Sequence, residues 1–345
     1  MTRIGDLEVD SRVSVLPKLP QGPFVRLPDE RILTVDDTEV LQSRDEGNTW
    51  QRSPLFLPEQ ELRVSSERAM VRTHGGTIVL VFMNMTDHEW DWDERTCLPD
   101  PASRLPVWSI RSVDEGATWV DAQMIYEKYC GDIHDMIQTS DGTLIAPVQE
   151  LLYQEGRHAL RPQYSTDDGK TWHRANLLDI GGRGHHDGLI EGTLVELRDG
   201  RVWMLCRTNL ERFWSAVSDD MGQHWRVLEP SEIAASSAPG QIERLASGRL
   251  ALVWNRPLPE GAADHPRTGG DRLWSEIPVS NHRAELSLAF SDDDGASWSK
   301  PAVIARKPEA WLSYPHIFEQ RPGRLWITTM QGELRLALSE NDFAG

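Results

Sequence analysis

Short apolar segments, many with a polar residue at every second position, run the length of the chain and are cut by D-G, G-G or S-G pairs. TIVLVFM, TLIAPVQ, RVWMLCR, RLALVWN and RLWITTM are examples. Each follows a similar segment (RAMVRT, HDMIQT, GTLVEL, QIERL, PHIFEQ) and precedes a third (VWSIRS, RPQYS, FWSAVS, AELSLAFS, ELRLALS). A period of two bounded by turn residues predicts β-strands, and recurring triplets of them predict an all-β fold of repeated antiparallel sheets.

An earlier triplet, PFVRL, RILTV and EVLQS, brings the number to six, and each of the first five along the chain closes on one motif, S-x-D-x-G-x-T-W or a close variant. The copies are SRDEGNTW (43–50), SVDEGATW (112–119), STDDGKTW (165–172), SDDMGQHW (218–225) and SDDDGASW (291–298). Asp and Ser side chains at such a turn bond nearby backbone N–H groups, and the Gly supplies a positive φ. The Trp returns the chain to a packed surface. Consecutive copies start 53 to 73 residues apart, a blade-like spacing that indicates one structural unit arrayed around an axis.

The triplets assign six blades, which leaves about 57 residues per blade and reads 1–345 as a single propeller domain. The sixth triplet ends close to residue 345, so blade six lacks a fourth strand. The segment SRVSVL (11–16) is the natural donor, and such closure removes free sheet edges. Two insertions, 84–106 in blade two and 256–282 in blade five, fall between second and third strands. If first strands run away from the active face, these loops return to it. Trp90 and Trp92 give the first a sugar-facing or lid-like character.

The formal net charge of −18 argues against nucleic acid or anionic membrane as partner. An anionic substrate then needs a local cationic site. Cys97, Cys130 and Cys206 have no paired spacing and imply no disulfide framework. The first residues lack the apolar core of a signal peptide and no run of 18 apolar residues occurs, so a cytoplasmic protein is expected. No metal motif of defined spacing appears and no cofactor is expected. Nothing in the sequence bears on oligomeric state.

The five motifs resemble the Asp-boxes of the sialidase superfamily, and the resemblance covers almost the whole chain. It implies a six-bladed β-propeller with four antiparallel strands per blade. The boxes would lie between third and fourth strands, on the rim, with a structural role only. It also implies a catalytic set. Glu191 and Arg207, sixteen residues apart in IEGTLVELRDGRVWMLCRT, resemble the family's Glu on the first strand of blade four and the Arg ending the next strand. Arg283, ahead of the fifth box, resembles a second family arginine. Tyr314, in LSYPHIFE, stands where the family keeps its nucleophile.

The chemistry suits those residue types. A Tyr hydroxyl is a poor nucleophile at its ordinary pKa of about 10, and a carboxylate such as Glu191 can take its proton. A neutral phenol attacks a carbon flanked by a carboxylate with less repulsion than a second carboxylate would meet. Arg207 and Arg283 would hold that substrate carboxylate through charge-assisted bonds.

The chain also departs from the family pattern. The first-blade Arg-Ile-Pro element is matched by LPQGPFVRLPDE, where the arginine's place falls near Pro20 or Gln21; Arg68 is the positional substitute. The family's acid/base Asp sits in the second-to-third strand loop of blade one, which here is the short TVDDTEV. Asp36 and Asp37 are the carboxylates nearest that place. The blade-two insertion, with Asp87, Glu89, Asp91, Asp93 and Glu94, is the competing source. His134, His185, His186 and His316 cluster at first-strand starts, and His134 and His186 are read as substrate-binding groups beside Trp90 and Trp92.

The expected function is an exo-acting, retaining hydrolase of a terminal acidic sugar, sialic acid or a relative. Alternatives on the same fold are a hydrolase of another uronic or ulosonic sugar, a polysaccharide lyase, and a carbohydrate-binding propeller without catalysis.

Overall fold

The computed structural model describes residues 1–343, which form six antiparallel sheets around an axis, with a two-stranded sheet in each insertion (Trp92–Asp93 with Leu98–Pro99, and Arg267–Gly269 with Pro278–Ser280), and contain no α-helix. No helix among them is long and apolar enough to cross a membrane. Blade one is Val25–Arg26, Ile32–Asp36, Glu39–Ser43 and Gln51–Pro54; blade two is Val64–Arg72, Ile78–Asn84, Val107–Ser112 and Val120–Tyr126. Blade three is Ile137–Gln138, Leu144–Leu152, Arg157–Ser165 and His173–Arg174. Blade four is Ile190–Glu196, Val202–Arg207, Arg212–Ser218 and Val227–Ala234. Blade five contains Gln241–Arg244, Leu250–Trp254, Glu285–Ser291 and Ala302–Arg306; blade six contains Pro315–Arg321, Arg324–Thr329 and Arg335–Ser339.

The N-terminal segment joins two blades. Ser14 and Val15 pair with Ala337 and Leu336 as the fourth strand of blade six. Leu7–Val9 pairs with the outer strand of blade five, and Thr2–Ile4 pairs with Leu7–Val9 beyond it. Blade five is therefore a six-stranded sheet, and a short stretch of chain holds it to blade six.

Apolar burial lies between blades. Blades one and two share a cluster around Leu33, Leu80 and Phe82, and blades two and three share one around Val81 and Ala146. Blades three and four meet at Ile145 and Met204, four and five at Leu205 and Leu252, five and six at Leu288 and Ile327, and six and one at Trp326 and Phe24. Strands buried on both faces explain the near-continuous apolar runs such as Ile78–Asn84, which is buried throughout.

The boxes lie between third and fourth strands and are self-contained turns. In the third copy, Ser165 Oγ donates to Asp167 at 2.8 Å, Gly169 N–H donates to Ser165 Oγ at 2.9 Å, and Thr171 N–H donates to Asp167 at 2.9 Å. They also act between blades. A methyl group placed on Gly116, Gly222 or Gly295 would meet Leu33 at 2.3 Å, Ile145 at 2.4 Å or Trp203 at 2.5 Å, each in the preceding blade. The positive φ and the missing side chain are both used. Blade six has no box. Its third strand runs into the 3-10 turn Glu340–Phe343, and Glu340 accepts a 2.7 Å bond from Ser247 of blade five.

Candidate active site

Two chain irregularities build the centre of the site. The first strand of blade four pairs Ile190 with Arg207 and Gly192 with Cys206, so Glu191 is bulged out of register with φ 45°. Tyr314 immediately precedes the first strand of blade six with φ 58°. Left-handed backbone is uncommon for residues with a Cβ and persists where the surroundings over-determine it.

These irregularities bring together side chains far apart in sequence. Tyr314 Oη donates to Glu191 Oε1 at 2.6 Å. Arg207 Nη1 donates to both Glu191 oxygens, at 2.6 and 2.7 Å, and lies 3.5 Å from Tyr314 Oη. Burial alone would raise the Glu191 carboxyl, but the Arg207 guanidinium outweighs it and holds that carboxyl below its usual range. Burial and the Glu191 charge push the Tyr314 phenol well above 10. At neutral pH the trio is thus neutral phenol, carboxylate and guanidinium.

Arg283 lies beside it, its guanidinium carbon 5.8 Å from the Tyr314 ring centroid and 4.6 Å from that of Trp311. It donates to Asn281, Gln331 and the Ser237 carbonyl, at 2.8, 2.8 and 2.5 Å. Arg207 donates to Ser237 Oγ, so Ser237 touches both arginines. Burial, with Arg207 nearby, lowers Arg283 to about 10, and it stays cationic at neutral pH.

A cavity of about 470 Å³ opens onto this cluster and is lined by Tyr314, Glu191 and Arg207 on one side. Trp90, Trp92, Asp91 and Glu94 of the blade-two insertion and Leu273 of the blade-five insertion line the other. The His185–His186 segment joins the insertions, donating backbone bonds to Leu273 and Trp274 carbonyls at 2.8 and 3.0 Å. Trp90 stacks on Trp92, Trp92 meets His185 edge-on, and His186 stacks on Trp274 with ring centroids 5.4 Å apart. Burial depresses His186 to about 2 and His158, also in this wall, to about 4, so both are neutral. A second cavity, about 700 Å³, is lined by the far halves of first strands, around Glu196, Arg244 and Glu319.

The remaining sequence candidates do not line that cavity, although the His134 ring lies edge-on to the Tyr314 ring with centroids 6.2 Å apart. His134 is buried, bonded to Asp132 at 2.5 Å, and lines the second cavity. Its partner carboxylate outweighs the effect of burial and raises it to about 9. Arg68 is fully buried and donates to the Ser66 and Gln21 carbonyls at 3.2 and 3.4 Å; burial lowers it to about 10. Asp37 is exposed and ion-paired with Arg63 at 3.0 Å. Asp36 is exposed at a strand end, and its charge acts on Arg68 and Arg335. Gln21, in the place expected for a first-blade arginine, bonds the Ser66 carbonyl at 2.9 Å. Among the described residues, no group of three or more His, Cys, Asp or Glu is arranged to hold a metal ion.

Sequence reasoning passed over Ser237, Asn281, Gln331 and Trp311. They are single polar or aromatic residues on loops, and only their convergence on the two arginines distinguishes them. Asp132 carried a signal in GDIHD, two residues before His134.

Residues 34–327 match the model of the BNR repeat-like domain family. No curated protein matches the chain. Among solved structures, a protein of unknown function from Dyadobacter fermentans superposes with a TM-score of 0.63 at 14% identity, covering 97% of this chain and 98% of that one. The NanB sialidase of Streptococcus pneumoniae gives 0.60 at 14% identity over 93% of this chain and 68% of that one. An intramolecular trans-sialidase from Ruminococcus gnavus gives 0.56 at 12% identity over 95% and 96%. Identities this low speak for the fold. With the boxes between third and fourth strands and the family match spanning most of the blades, this chain belongs to the BNR repeat-like domain family.

Proposed function

We propose that the protein is a retaining exo-glycoside hydrolase acting on a terminal sugar that bears a carboxylate. The observation that carries this reading is the 2.6 Å bond from Tyr314 Oη to Glu191 Oε1, with Arg207 on the same carboxylate. A phenol raised well above 10 is not a nucleophile by itself, and a carboxylate in contact can accept its proton as it attacks the anomeric carbon. Arg207 holds Glu191 ionised for that task. Arg283 supplies a second cation beside Tyr314 for the substrate carboxylate. A carbohydrate-binding propeller would have no need of a phenol held on a carboxylate that can take its proton.

Sialic acid is the first substrate class to test. A different uronic or ulosonic sugar is the second reading, favoured by Gln21 standing where a third arginine is expected. The solved relatives described as sialidases support the first reading through fold alone. The deciding experiment is hydrolysis of a fluorogenic α-sialoside by the protein and by Tyr314→Phe. Release by the wild type alone supports a Tyr nucleophile on sialosides. Equal release by both rules out the covalent Tyr step. Release by neither directs the assay to uronate and ulosonate glycosides, followed for reducing ends and for the unsaturated product of a lyase.

A further inference from the structure

Gln149 stands next to the base. It is buried on the second strand of blade three, and its Oε1 accepts the Glu191 backbone N–H at 3.1 Å. A backbone N–H only donates, so the amide oxygen is turned to Glu191 and the NH2 end is left over. That Nε2 bonds no other described residue, and Gln149 lines the cavity together with Glu191 and Tyr314.

His158 supplies the opposite chemistry in the same wall. Its Nε2 lies 3.2 Å from the His185 carbonyl oxygen. A carbonyl only accepts, and the ring is neutral, so the proton sits on Nε2 and Nδ1 keeps a bare lone pair. Among the residues lining the cavity, only His158 and Trp92 hold a buried side-chain polar atom without a partner, and in His158 that atom is Nδ1. Buried polar atoms are normally paired.

The two groups converge on one gap. A methyl group on Gly131 would overlap Gln149 Nε2 and come 3.1 Å from His158 Cε1, the carbon between the two ring nitrogens. Gly131 also lines the cavity, and its φ is not positive, so the missing side chain is what the position uses. Tyr129, whose ring centroid is 6.5 Å from that of His158 and 4.6 Å from that of Trp90, closes the gap on the side of the blade-two insertion. A neutral donor beside a neutral acceptor suits a hydroxyl, whose single oxygen both accepts and donates. A carboxylate would meet the His158 lone pair, and an ammonium would meet the amide N–H groups.

We propose that Gln149 and His158 form a subsite for one hydroxyl of the acidic sugar, separate from the cation that meets its carboxylate. This rests on the hydrolase reading. The hydroxyl accepts from Gln149 Nε2 and donates to His158 Nδ1. Held there and at Arg283, the sugar is fixed at two points, which sets the face its anomeric carbon turns to Tyr314.

The test is a cycle of variant against substrate. Wild type and Gln149→Met are compared on the fluorogenic α-sialoside, or on a fluorogenic uronide if that is the one cleaved, and on the monodeoxy analogues of the same sugar. Wild type should lose about 10- to 100-fold in kcat/KM on one of these analogues. Gln149→Met should lose a similar factor on the parent sugar and almost nothing further on that analogue, while its losses on the other analogues stay additive. His158→Leu should be coupled to the same hydroxyl, which keeps the test open if thermal melting shows Gln149→Met to be unfolded. Uniform, additive losses across all the sugars in both variants would reduce Gln149 to a brace for Glu191 and overturn the subsite, leaving the hydrolase reading intact. A wild type that cleaves no acidic glycoside removes the hydrolase reading and this subsite together.

Discussion

Tyr314 and Glu191 are 123 residues apart in sequence, 2.6 Å apart at Oη and Oε1, and both left-handed, with φ 58° and 45°. Each such backbone costs about 1–3 kcal/mol. Two on bonded partners mean that the surrounding blades hold a geometry that neither strand would adopt alone. Glu191→Gln keeps the shape but leaves the buried Arg207 without its counter-charge. A loss of about 3–5 kcal/mol is expected in urea denaturation. Turnover should fall by about 10² to 10⁴-fold, since the phenol loses its proton acceptor. A variant of normal stability and near-normal rate would remove Glu191 from the mechanism.

Arg283→Lys tests the cation beside the nucleophile. Lysine keeps the charge but cannot bridge Asn281, Gln331 and Ser237 as the guanidinium does. KM for acidic glycosides should rise about 10- to 100-fold with a smaller change in kcat. Steady-state kinetics on an acidic glycoside and its amide counterpart would read this, and an equal effect on both would show that Arg283 does not meet the carboxylate.

Box glycines are predicted to matter through the neighbouring blade. Gly222→Ala places a methyl 2.4 Å from Ile145 at a φ of 82°. Overpacking and left-handed strain together should cost about 2–5 kcal/mol. Gly200→Ala, with φ 85° and nothing within 4 Å, carries the strain alone and should cost about 1–2 kcal/mol. Chemical denaturation of the pair separates the two contributions, and equal losses would show that the contact between blades is unimportant.

Acid sensitivity should follow the buried neutral histidines. His158 titrates near 4 when folded, against an ordinary 6.5. The unfolded chain therefore binds a proton that the folded one refuses. The stabilising contribution is complete above 6.5 and is lost as pH falls from there towards 4. At pH 5 this amounts to about 2 kcal/mol for His158, and His186 acts in the same direction. Stability measured at pH 7.5 and pH 5 should show the drop, and His158→Gln should remove part of it. An identical pH dependence in the variant would assign the acid limb to other groups.

Legibility in the sequence followed how local each feature is. The boxes could be read because their turn chemistry lies within eight residues. Glu191 and Arg207 could be paired because one hairpin returns both to the same end. The extension of blade five by Thr2–Ile4 and Leu7–Val9 was not legible, since short strands of mixed polarity take their place from the edge they meet.

The sequence alone determined the repeated strand triplets, the box turns and, through them, a propeller of six blades, because these rest on alternation, turn stereochemistry and recurrence along the chain. Only the tertiary structure decided that Tyr314 touches Glu191, that Ser237 joins Arg207 to Arg283, that Asp37 is occupied by Arg63, and that two insertions meet through His185 and His186. Those relationships depend on how far each blade is rotated about a common axis. That rotation is set by packing between the faces of neighbouring sheets, and no local pattern in the chain encodes it.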